Sequence, residues 1–205
     1  MDFLLFTVLG ITKDNATNDF ELAKFACINR AYLDAARRVL KTNNNEIIRN
    51  IGTEYLMDSI KKDNINSAQK VINELNSTLN STENEIDKEV SIGIIQKWVN
   101  MTYKYMIMLY DIIDCDNDMI SKLLEAYDVP LDSTILKAVG IKNKAWSKIN
   151  DVNAYNKTQA ILRELAENNS ANCFNWENST WVEERGKEKD SVYNKYKMYR
   201  DNQKK

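Results

Sequence analysis

Five Gly and one Pro in 205 residues leave this chain few ways to turn tightly. Sheet-rich folds need many tight turns, and Gly and Pro are the residues that make them cheaply. Their scarcity predicts long helices joined by short polar loops. Asn and Asp take over the turn positions, at Asn43-Asn44-Asn45, Asp63-Asn64, Asp116-Asn117 and Asn168-Asn169. Both residue types cap helices and tolerate left-handed backbone.

Hydrophobic residues make up 43% of the chain, enough for a real core, and 28% are charged with the signs mixed. The formal net charge of −2 gives no whole-body electrostatic footprint for nucleic acid. The charge is uneven, however. Arg185 to Lys205 holds eight Lys/Arg against three Asp/Glu, so the remainder sums to −2 − 5 = −7. A single all-α globular domain over 1–186, followed by a basic C-terminal helix or tail over 187–205, is the expected organisation.

The 3.6-residue period marks helices over Asp19–Lys41, Glu46–Lys62, Ser67–Leu79, Lys88–Asp114, Asp118–Tyr127, Ser133–Val139 and Val152–Glu167. The widest apolar stripe, from Ile95 through Trp98, Val99, Thr102, Tyr105, Met106 and Leu109 to Ile113, places its helix at the centre. Phe3–Leu9 is apolar and of ambiguous type. Residues 77–85 read as a polar surface loop and Phe174–Trp181 as part of a loop-rich C-terminal third, before a charged helix carrying Val192, Tyr196 and Tyr199. Pro130 holds Val129 extended, Asp132 is placed to cap the helix that follows, and Gly140 is its natural stop.

Cys27, Cys115 and Cys173 are odd in number and widely spaced, which predicts free, buried cysteines and a reducing cytoplasm. Met1–Gly10 lacks the basic start and the length of a signal peptide. No stretch approaches the roughly 18 apolar residues of a membrane span, so no membrane partner is expected.

The chain has no His, which removes Ser-His-Asp and Cys-His catalysis and His-ligated zinc. It has no Gly-rich phosphate cradle of the P-loop or dinucleotide type. Asp114, Asp116, Asp118 and Glu125 have the spacing of an EF-hand loop, but Met119 stands where that loop needs Gly. These acids are read as the start of a helix, whose positive dipole end favours them. No metal and no cofactor is expected, and any catalysis falls to Lys, Asp, Glu, Tyr or Cys.

Two segments stand out. One is Ser91–Tyr105, a core helix with Gly93 and Lys97 in its first turns. The other is Val129-Pro130-Leu131-Asp132-Ser133-Thr134, which opens a later helix. Their order, over Gly93 to Trp146, resembles the helix-hairpin-helix DNA glycosylase superfamily, and within it the archaeal 8-oxoguanine DNA glycosylase type. The hairpin is degenerate, with only Gly93 for its glycines, and Thr134 stands in place of the usual His.

The resemblance implies that Lys97 attacks the sugar C1′ as an amine while Asp132 orients it and stabilises the developing oxocarbenium charge. A nucleophilic Lys needs partial burial to lower its pKa. Lys97, Asn100, Met101, Lys104 and Met108 share a helical face, either a nucleotide-facing surface or the solvent edge of a buried helix, and Trp146, Trp176 and Trp181 are aromatics in polar surroundings, suited to packing the C-terminal third onto the body or to base stacking. Gln96, Asn100, Lys104, Trp146 and Trp176 are the candidate ligand-binding residues, and a nucleotide or damaged DNA base is the expected ligand. The rival expectation is a non-enzymatic protein, of phage or mobile-element origin, that sequesters a nucleotide or meets a protein partner.

Overall fold

The computed structural model describes residues 2–37, 40, 44–81, 86, 88–114, 116–141, 145–187 and 191–202. The fold is all-α, as the turn chemistry predicts. The described residues form α1 (Asp2–Leu9), α2 (Lys13–Asn18), α3 (Phe20–Ala35), α4 (Asn45–Ser59), α5 (Ala68–Leu79), α6 (Ile92–Ile113), α7 (Asn117–Ala126), α8 (Ser133–Ala138), α9 (Val152–Asn168), α10 (Cys173–Gly186) and α11 (Val192–Asn202). Polar side chains set the starts. Asp19, Ser67, Ser91, Asp116, Asp132 and Asp151 each accept a backbone N–H of the helix they precede. Asp114 and Asp116 both take positive φ, so the acidic window is a tight turn ending in the α7 cap. Gly140, at φ +74°, closes α8.

Helix α6 is the hub, packed against α3, α5, α7 and the 3₁₀ turn Trp146–Lys148. Trp98 anchors it. The indole is 1% exposed, donates Nε1–H to the Ile28 carbonyl at 3.0 Å and meets Tyr32 edge to face at 5.0 Å between centroids. Gly52 of α4 lies flat against this ring, where a Cβ would run into the indole. One hydrophobic cluster joins α1 to α9, from Leu5 to Leu162.

Several details depart from the sequence reading. Phe3–Leu9 lies in a helix, and α2 is an additional short one. Helix α4 ends at Ser59 rather than Lys62, and the chain then forms a two-residue antiparallel ladder pairing Ile60 with Ile65 and Lys61 with Asn64. The reason is Lys24. This 1% exposed lysine donates Nζ–H to the Met57 and Ile60 carbonyls, at 2.6 and 2.9 Å, and pairs with Glu21. A cation thus takes over the last carbonyls of α4. Helix α6 starts at Ile92 because Ser91 caps it. The C-terminal third is helical rather than loop-rich, with Phe174, Trp176 and Trp181 all on α10. Cys27 is free and buried, and Cys173 is free and half-buried. The expectations for Cys115, for residues 82–85 of the polar loop, for Lys41 and Asn43, and for the Tyr199 side chain fall outside the described residues.

Candidate active site

The site is built where the start of α6 meets the 3₁₀ turn and the cap of α8. Ser91 Oγ–H donates to the Ser147 carbonyl at 2.7 Å, and Gly93 N–H donates to the Ile149 carbonyl at 2.8 Å. These bonds clamp Trp146–Lys148 across the first turn of α6. Gly93 is required for it, since a Cβ there would collide with the Trp146 carbonyl. One turn on, Lys97 extends beneath the clamped segment. Its Nζ lies 4.4 Å from the centroid of the Trp146 ring, within cation–π range.

On its other side, Lys97 Nζ is 3.9 Å from Asp132 Oδ2, and the two side chains are only 14% and 19% exposed. Asp132 is held firmly. Its Oδ1 accepts the Thr134 and Ile135 N–H groups at 2.9 and 3.0 Å, and its Oδ2 accepts Trp181 Nε1–H at 3.2 Å. Burial pushes the Lys97 pKa down from its ordinary value, and the Asp132 carboxylate partly offsets that. The arrangement therefore offers a half-desolvated amine that gives up its proton more readily than a surface lysine, facing an anchored carboxylate under an aromatic ring.

Asp132 owes its position to a buried polar lattice. Gln96 donates Nε2–H to the Leu131 carbonyl at 2.9 Å and to Gly93 at 3.0 Å, and its Oε1 accepts Leu131 N–H at 3.0 Å. Gln159 does the same for Val129, at 3.1 and 2.7 Å. Two amide side chains thus act as strand neighbours on either side of Pro130. Asn100 donates to Tyr155 Oη at 3.0 Å, Tyr155 donates to Asp128 at 3.0 Å, and Arg163 neutralises Asp128. Burial raises the Asp128 pKa, which Arg163 and Tyr155 oppose.

The structure thus brings Lys97, Asp132 and Trp146 together. It places Gln96 and Asn100, both 0% exposed, inside this lattice. Lys104, seven residues along α6 from Lys97, pairs with Glu177 of α10 at 2.5 Å, and Glu177 is 2% exposed. Burial raises the Glu177 pKa, and Lys104 opposes it. Trp176 is half-buried against the core. Glu177 is absent from the sequence-derived candidates. The signal that marks it is its i, i+4, i+7 spacing with Trp181 and Glu184, a polar stripe along α10. Glu184 completes that stripe by pairing with Lys137 at 3.7 Å.

Among the described residues no group of His, Cys, Asp or Glu is placed to hold a metal ion, and no helix is long and apolar enough to cross a membrane. No protein-family model matches the chain, and no curated protein or solved structure matches it significantly.

Proposed function

We propose that this chain recognises a nucleobase or nucleotide and that Lys97 acts on it as an amine nucleophile with Asp132 as its partner, in the manner of a DNA base-excision glycosylase/lyase. The observation that carries this reading is the Lys97–Asp132 pair itself, a half-buried amine 3.9 Å from an anchored carboxylate with Trp146 across it. Neutral Nζ attacks C1′ of the flipped nucleotide. The C1′–N bond breaks, its electron pair leaves on the base, and the proton released from Nζ passes through solvent to that base. The ionised Asp132 stabilises positive charge as it develops on the sugar. Trp146 is placed to stack on a base or sugar face. The Nζ lone pair then expels O4′, which takes a proton from solvent, and the opened sugar is left as a protonated Schiff base on Lys97 that borohydride reduces to a stable amine.

The test is borohydride trapping on oligodeoxynucleotides carrying 8-oxoguanine or an abasic site. A covalent adduct that vanishes in a folded Lys97→Ala variant is the expected result. An adduct of undiminished yield in that variant refutes the assignment. The acidic balance of the body, with Glu177 and Asp132 beside the two lysines, favours a second reading in which a single nucleotide is bound without bond cleavage. Its mark in the same experiment is nucleotide binding with no adduct from any substrate.

A further inference from the structure

The 3₁₀ turn has a second face. Trp146 covers Lys97 on one side, and on the other Ala145 and Ile149 join Leu136, Ile141 and Ala154 as the wall of a cavity of about 470 Å³. That volume lies in the range of small-ligand sites, roughly 300–1,000 Å³. The aliphatic part suits a flat ring. Of the polar lining, Lys148, Asn150 and Asp151 meet at the start of α9, and Thr158 lies two turns further along it with its hydroxyl donated to the Ala154 carbonyl. Lys148 is exposed, and among the described residues no carboxylate pairs with it. Asp151 spends Oδ1 on the Asn153 N–H at 2.8 Å, which leaves its other oxygen as an acceptor for a hydroxyl.

An aliphatic slot, a carboxylate acceptor and the Lys148 ammonium at the mouth match the three parts of a nucleoside monophosphate. We infer that this cavity is a second nucleotide site, with the base between Leu136 and Ile149, the ribose hydroxyls toward Asp151 and the phosphate on Lys148. It is separate from Lys97 but shares a wall with it, so an occupied cavity presses on the turn that carries Trp146. The inference extends the nucleotide reading above, yet each can fail without the other.

Isothermal titration calorimetry with AMP, GMP, CMP and UMP, and with adenosine, guanosine and inorganic phosphate in separate arms, tests it. At least one monophosphate binds more tightly than its nucleoside and than phosphate. Lys148→Glu weakens that binding tenfold or more, and Ala154→Phe, which fills the slot, abolishes it. Ala145→Trp does the same from an exposed position, so a folding defect in Ala154→Phe does not decide the matter. Equal affinity for phosphate alone, or no binding by any monophosphate, overturns the nucleotide site. Binding that survives Lys148→Glu but is lost in Lys97→Ala places the nucleotide at Lys97, which overturns this inference and leaves the reading above standing.

Discussion

Lys97 is half-hidden under Trp146, and its amine has a lowered pKa because burial penalises the ammonium form. The sign is definite: at any pH below the ordinary lysine value, more of Lys97 is neutral than of a surface lysine. Reductive methylation with formaldehyde, read by mass spectrometry across a pH series, should therefore label Lys97 at lower pH than exposed Lys137. Identical pH profiles would contradict the account. Gly93 carries a sharper expectation. Gly93→Ala forces the Trp146 carbonyl away, so the protein folds with a cost of about 1–3 kcal/mol from overpacking and the indole no longer covers Lys97. A Lys97 labelling profile unchanged from wild type would show that the clamp does not set the site. Part of the residue level is legible in advance: Asp132 reads as a cap from its chemistry and its place after Pro130, whereas the Ser91 cap lies inside the helix that periodicity draws from Lys88. Lys24 and Gln96 are not legible. A lysine or glutamine buried for its hydrogen bonds has the same letter as one on the surface, and its partners, Met57, Ile60 and Leu131, lie far away in the chain.

Helix α10 shows why one element escapes periodicity. Its body-facing stripe is Glu177, Trp181 and Glu184, which meet Lys104, Asp132 and Lys137. Its apolar contacts, Cys173, Phe174 and Trp176, are confined to the first turn, and the rest docks by charge and an indole N–H, so no apolar period runs its length, whereas α6 carries a wide apolar stripe and reads clearly. Such docking weakens as salt screens its exposed pairs. Amide hydrogen exchange in α10 should accelerate on raising salt to about 0.5 M while α6 stays protected; equal protection of both helices at high salt would contradict this picture.

The buried pair within the stripe predicts more. Lys104→Met leaves the buried Glu177 carboxyl without its cation, a loss of about 3 kcal/mol at neutral pH, and adding Glu177→Gln recovers most of it. Burial raises the Glu177 pKa. Its proton is therefore bound more tightly in the folded state, and stability on its account is full below about pH 4.3 and falls as pH climbs through the folded value. Urea unfolding of Lys104→Met at pH 4 and pH 7 should show the larger deficit at pH 7, and a deficit independent of pH would rule Glu177 out as the cause.

For the whole molecule, turn chemistry was sufficient for the fold class, because a chain with so few Gly and Pro residues closes its core with helices. The candidate site was legible in part. Lys97 and Asp132 came from a resemblance in segment order, and the structure places them side by side. Trp146 over Lys97 depends on the Ser91–Ser147 and Gly93–Ile149 bonds, which no local pattern encodes. The lattice of Gln96, Gln159, Asn100 and Tyr155 then makes the distance from Lys97 to Asp132 a property of the entire C-terminal half. The central claim is that Lys97 is the amine that meets the sugar. Its most direct measurement is peptide mapping of a borohydride-trapped adduct formed on an abasic oligodeoxynucleotide. The reduced sugar is expected on the peptide containing Lys97, with its yield cut about tenfold or more in Asp132→Asn. An adduct mapped to another lysine, or none on any substrate that binds, would contradict it.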